Sequence, residues 1–218
     1  MPYRRTERVE QRLRARYDAL IAAATAIAGE RGMEAVQVVP VAERAGIAAG
    51  TVYRYFPSKT ALVAALVAGV SQTELAALRA AADAAPGPLS ALAAVLVTFA
   101  TRALRQRRLT WAVTGEPVEA EIDRARAVFC REINAEFAAR IAAAQAAGQL
   151  RDINPALAAP ALLGALLEAL IGPLAPAEND GAAGRIAVQS LALMALRAVG
   201  LVDARARGLV VQTPLPGE

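Results

Sequence analysis

The residues best placed to do chemistry lie between Val41 and Lys59. Thr51, Tyr53, Arg54 and Tyr55 offer three hydroxyls and one guanidinium over five positions, directly after the small residues Ala48, Ala49 and Gly50. Such groups hydrogen-bond to phosphate oxygens and to base edges, arginine bidentately to guanine. Small residues ahead of them let a helix bring its backbone close to a duplex. Ser58 and Lys59 open a further helix, where free N–H groups and the helix dipole favour a phosphate. The chemistry on offer is recognition of a polyanion, not the making or breaking of bonds.

Other chemistries lack their parts. The chain of 218 residues has no histidine and one cysteine, Cys130, which removes Ser-His and Cys-His nucleophile pairs, His-ligated zinc and the commonest general acid/base. The densest carboxylates, Glu116, Glu119, Glu121 and Asp123, fall around one helix start, where acids suit the dipole. No enzyme activity, metal or cofactor is expected. Cys130 cannot form an internal disulfide, and its expected role is that of a small buried hydrophobe in a reducing cytoplasm. The charged N-terminus is not followed by the short apolar segment of a secretory signal. Residues 155–177 are apolar, but Pro160, Glu168 and Pro173 interrupt them without flanking basic or aromatic anchors, so no membrane span is expected.

The net charge of +4 is unevenly placed. Arg4, Arg5, Arg8, Arg12, Arg14 and Arg16 face only Glu7 and Glu10 in the first sixteen residues, and the remainder sums to zero. A basic arm on an otherwise neutral protein points to a local contact with a polyanion.

The elements that must position these residues are helices. Hydrophobic residues make up 56% of the chain, Ala and Leu dominate, and few runs alternate with period two, so the expected fold class is all-α. Leu13, Tyr17, Leu20, Ile21, Ala24, Ile27 and Ala28 mark an amphipathic helix from about Arg12, closed by Arg31 and Gly32. Val41 to Ala45 reads as a second helix with Pro40 in its first turn, ended by Gly46. Thr51 to Phe56 reads as a third, and Ser58 caps a fourth running toward Ala82. Two helices joined by a short glycine-containing turn have the helix-turn-helix layout, held by the inward-facing Val41, Ala45, Val52 and Phe56. After Pro86-Gly87-Pro88 the spacing predicts a helix from Leu89 to Leu104 and a long one from Val118 past Ile141. Two more follow, opened by Asn154-Pro155 and by Asn179-Asp180.

The run A-E-R-A-G-I-A-A-G-T-V-Y-R-Y-F-P-S-K, residues 42–59, resembles the recognition region of the tetracycline-repressor (TetR) family of regulators. With the preceding helix, the resemblance covers residues 11–74; beyond them only the layout is similar. It implies four parts: a basic arm at 1–10, a three-helix DNA-binding domain at 11–74, a larger helical effector and dimerisation domain at 75–202, and a flexible tail at 203–218. It also implies that Arg54 contacts a base edge and that Thr51, Tyr53, Tyr55 and Lys59 touch phosphates. Ala49 and Gly50 would make the close approach, and Arg4 and Arg5 would reach the backbone or the minor groove. Tyr53 and Tyr55 keep an alternative reading as packing aromatics, and Arg54 as a solvated surface charge. Ala48 stands where many family members carry a capping Ser or Thr.

The implied function is a sequence-specific repressor, a homodimer on a pseudo-palindromic double-stranded operator, released by a small and largely apolar effector. The last two helices are rich in Ala, Leu and Gly, which suits a close twofold contact. Phe99, Trp111, Phe129 and Phe137 are candidates to line the effector cavity, with Arg102, Glu116, Arg126, Cys130 and Asn134 as polar contacts. The alternative is that these aromatics are plain core and that Arg126 is a solvated charge.

Overall fold

The computed structural model describes residues 3–117, 120–150, 153–176 and 181–216. The described residues form ten α-helices and no strand: α1 (Tyr3–Arg31), α2 (Val38–Ala45), α3 (Ala49–Val52), α4 (Lys59–Asp83), α5 (Pro88–Arg105), α6 (Arg107–Thr114), α7 (Ala120–Ala146), α8 (Pro155–Leu170), α9 (Gly181–Ala198) and α10 (Asp203–Gln212). The expected all-α class is the class observed.

Terminal residues explain several boundaries. Gly46 takes φ 65°, the left-handed cap that closes α2, as glycine does at no steric cost. Ser58 accepts a hydrogen bond from the Ala61 N–H at 3.1 Å and starts α4, and the Asn154 side chain accepts one from the Ala156 N–H at 2.9 Å at the start of α8. Ala48, ahead of α3, gives no side-chain cap. That helix is brief: it ends at Val52, and residues 53–55 form a turn rather than the helix expected to Phe56.

Three expectations change in extent. The basic stretch at 1–10 is helical from Tyr3 onward and continuous with α1. Residues 203–212 form α10, with Ala206 and Val210 buried, where a flexible tail is predicted from 203; two apolar positions four apart suffice to dock a short helix on α9 and α5. The arginine run after Leu104 ends α5 as expected, but a new helix, α6, starts at Arg107. The Asn179-Asp180 start signal lies outside the described residues, and α9 is described from Gly181.

The core is one cluster. Leu20, Ala24 and Ile27 of α1 pack with Val41, Val52 and Phe56 in the small N-terminal bundle, and the cluster continues through Leu62, Leu66 and Leu78 of α4 into α5, α7, α8 and α9. Helix α4 is unbroken across residues 74 and 75, so the two expected domains share it. Helix α5 lies mid-core, buried from Ala91 to Thr101. Helices α4 and α5 are long and apolar enough to cross a membrane, but each gives residues to this shared core.

Candidate nucleic-acid interface and effector domain

The helix-turn-helix presents its surface through a division of labour among neighbouring residues. Val52 is fully buried and Phe56 nearly so, with the Phe56 ring 5.3 Å from that of Tyr17 on α1. This anchoring turns Gly50, Tyr53 and Arg54 outward to solvent, with Ala49, Thr51 and Lys59 half-buried beside them. Tyr53 is 55% exposed, which is not the burial of a packing aromatic. A Cβ built on Gly50 meets nothing within 4 Å, so the fold itself does not require glycine there; a close approach from outside would.

Tyr55 departs from the group. Its hydroxyl is buried with no hydrogen-bond partner among the described residues, and its ring lies 6.5 Å from that of Phe56. Of its two readings, the packing aromatic matches this placement, and Tyr55 is withdrawn from the expected phosphate contacts.

The helical form of the N-terminus aligns its charges. Arg8, Arg12 and Arg16 recur every four residues along α1 and therefore share one face. All three lie in an exposed stretch. Arg4 falls in the same register, while the side chains of Arg4 and Arg5 lie outside the described residues. The sequence shows the charge excess; only the helix turns it into a ridge.

Helix α6 and the segment after it lock the small bundle to the larger one. Arg108 donates through Nη2 to the Arg31 carbonyl at the end of α1 (3.2 Å) and through Nη1 to Glu116 Oε2 (3.1 Å). Glu116 Oε2 also accepts the Met33 N–H at 3.0 Å. Burial works against the Glu116 charge, yet the Met33 N–H, the Arg108 guanidinium and the nearby Arg126 charge outweigh it and hold the carboxyl below its ordinary range. Gly32 sits in this joint at φ 90°, and a Cβ there would lie 1.8 Å from Arg108 Nη2. Its positive φ calls for glycine.

The residues expected to form an effector cavity separate into groups. Phe99 and Phe137 are buried and pack edge to face at 5.6 Å, as core. Arg126 is buried and donates to the Ala112 and Glu116 carbonyls, tying α7 to the end of α6; it is not a solvated helix-face charge. Trp111 covers Gly115, where a Cβ would meet its ring at 2.3 Å. Cys130 is half-buried, and burial pushes its thiol up against the pull of Arg126, which disfavours the reactive thiolate. Asn134 keeps a buried Oδ1 without a partner among the described residues. Among the described residues, Phe99, Arg102 and Phe129 line a common cavity with Glu74 and Thr110, and its volume of about 20 Å³ holds little more than a water.

Two larger spaces were not anticipated. A groove of about 550 Å³ runs between α1 and α4, from Tyr17 and Ile21 to Glu74 and Arg102. A crevice of about 510 Å³ lies between α4 and α5 under the C-terminal segment. Small residues at four-residue steps, such as Ser90, Ala94 and Thr98, are the signal that could have found the second.

Comparison with known proteins covers the two halves differently. Residues 20–66 match the family described as bacterial regulatory proteins, tetR family. A 50-residue segment is 54% identical to the HTH-type transcriptional repressor KstR of Mycolicibacterium smegmatis. That match spans 23% of this chain and 24% of the relative, so the chain aligns with about a quarter of that protein's length. A solved TetR/AcrR-family transcriptional regulator from Thermobifida fusca superimposes with TM-score 0.65 and 25% identity over 84% of this chain and 97% of its own. RolR in complex with resorcinol gives TM-score 0.66 and 24% identity, over 95% and 98% respectively; that likeness is one of fold.

Proposed function

We propose that this chain is a regulator of the tetR family, a sequence-specific transcriptional repressor released from its operator by a small, largely apolar effector. The observation that carries the reading is the exposed surface of Gly50, Tyr53 and Arg54, flanked by Ala49, Thr51 and Lys59 and held outward by buried Val52 and Phe56. Arg54 reads a base edge, Thr51, Tyr53 and Lys59 grip phosphates, and the α1 ridge of Arg8, Arg12 and Arg16, extended by Arg4 and Arg5, adds backbone charge.

The working unit is a homodimer in the cytoplasm, built through α8 and α9. Leu157 (71% exposed), Ile186 (64%) and Met194 (44%) stand out on those helices, and the exposed Ala161 and Gly164 leave room for a close helix approach. Two reading heads then face a pseudo-palindromic operator one helical turn apart. An effector in the larger bundle shifts the population toward a dimer whose heads no longer match that spacing. The shared helix α4 and the Arg108–Glu116 joint give the shift a mechanical path to α1.

Operator selection from random duplex DNA tests this reading. The selected site should be pseudo-palindromic, and with on the order of ten phosphates neutralised the slope of log K against log salt should lie near −9. A slope near zero, or no enriched sequence, overturns it.

A further inference from the structure

We propose that the crevice between α4 and α5 binds a linear alkyl carboxylate, with its head group on Arg102 and its chain running toward Ser90 beneath residues 209–216. The proposal deepens the reading of a ligand-responsive regulator and rests on it.

The crevice has the size and lining of a ligand site. Its volume of about 510 Å³ falls in the range of small-molecule pockets, roughly 300–1,000 Å³. One wall is a single stripe of α5, Ser90, Ala94, Thr98 and Arg102; the other is Ala77, Ala81 and Ala84 of α4. Leu209 and the run from Gln212 to Pro216 form the roof, with Leu215 itself buried. From Ser90 to Arg102 at 1.5 Å per residue the channel runs about 18 Å, the reach of an alkyl chain of roughly a dozen carbons.

Polar groups line it. Thr98 is 5% exposed and faces the crevice. Its hydroxyl can donate to a ligand oxygen. Arg102 is the only charged residue lining the crevice among the described residues, so the preferred head group is an anion. Its Nε donates to Glu74 Oε2 at 2.8 Å, while its terminal nitrogens have no partner among the described residues. A carboxylate fits that free edge of the guanidinium fork.

Arg102 also stands where a signal can leave. It lines the crevice, the groove between α1 and α4, and the small cavity beside Phe99 and Phe129. Its present partner, Glu74, is on α4 and leaves Oε1 buried without a hydrogen bond among the described residues. Burial pushes the Glu74 carboxyl up, against the pull of Arg102. A ligand carboxylate competing for Arg102 therefore acts on the helix that the DNA-binding bundle shares.

Calorimetric titration of the full chain with octanoate, decanoate, dodecanoate, decanol and benzoate tests the site. The expected result is one decanoate or dodecanoate per protomer, with decanol at least tenfold weaker and benzoate weaker still. Arg102→Gln should abolish the preference of carboxylate over alcohol, and Thr98→Val should weaken binding several-fold. If Arg102→Gln does not fold, Ser90→Trp at the half-exposed far end carries the test: by shortening the channel, it should move the optimum from dodecanoate to octanoate. Absence of saturable binding, equal affinity for decanoate and decanol, benzoate matching dodecanoate, or an unmoved chain-length optimum would each overturn the proposal. Operator binding is measured alongside. DNA recognition without carboxylate uptake overturns this site and spares the repressor reading; uptake without any DNA recognition does the reverse.

Discussion

The helix-turn-helix and the larger helical bundle are made from the same few residue types, yet they expose their purposes differently. In the segment 38–59 the proposed recognition residues Gly50, Tyr53 and Arg54 sit on the outside, and the buried Val52 and Phe56 hold them there. In the bundle, the aromatic residues that invite a functional reading turn inward and hold helices together, as Phe99 and Phe137 do. A DNA surface is constrained by the fixed geometry of the duplex, so its residue types recur in local order. A ligand space is whatever several helices fail to fill, and its lining is scattered along the chain. Exposed chemistry is local; enclosed space is collective.

Mutations can break this contrast or sharpen it. The largest effect is expected at Phe137→Ala, which should cost about 3–5 kcal/mol in denaturant unfolding while leaving operator preference in the surviving folded protein intact. A loss under about 1 kcal/mol would show a core loose enough to be remodelled by ligand. Next comes the joint between the two regions. Glu116→Ala removes charged hydrogen-bond partners from Met33 and Arg108 and should cost roughly 1.5–3 kcal/mol. Because the Glu116 carboxyl is held below its ordinary value of 4.5 in the folded state, its contribution is complete above that value and fades as pH falls through the folded one. The variant should therefore lose less stability on acidification than the parent, and identical pH profiles would remove Glu116 from the joint.

Arg54→Ala should leave the melting temperature unchanged and cost about 1–3 kcal/mol of discrimination between operator and random DNA. Equal losses on both sequences would reduce Arg54 to a phosphate contact. The smallest change is Ser58→Ala, expected to cost about 1 kcal/mol through the lost cap on α4. Since α4 enters both regions, thermal unfolding should remain a single transition. Two resolved transitions would show that the bundles melt separately.

The legible parts were those governed by neighbours in sequence. Gly46, Ser58, Asn154 and Pro155 mark helix ends by local backbone chemistry, and each does so in the structure. The basic stretch was legible as charge but not as a ridge, because helix continuation into Tyr3 depends on α1 as a whole. Helix α6 was hidden because Arg105, Arg107 and Arg108 end one helix and begin another within two residues. Tyr55 could not be separated from Tyr53 by type; the burial of its hydroxyl, against the exposure of Tyr53, distinguishes them.

From its residues alone this chain determines an all-helical polypeptide and offers a candidate recognition surface between Ala49 and Lys59, because helix periodicity, caps and hydroxyl or guanidinium chemistry act over a turn or two. Which side chains meet across more than two dozen residues was decided by tertiary packing. Glu116 reaching Met33, Arg102 reaching Glu74, and the crevice left between α4 and α5 all depend on how whole helices pack, which no short window of sequence contains.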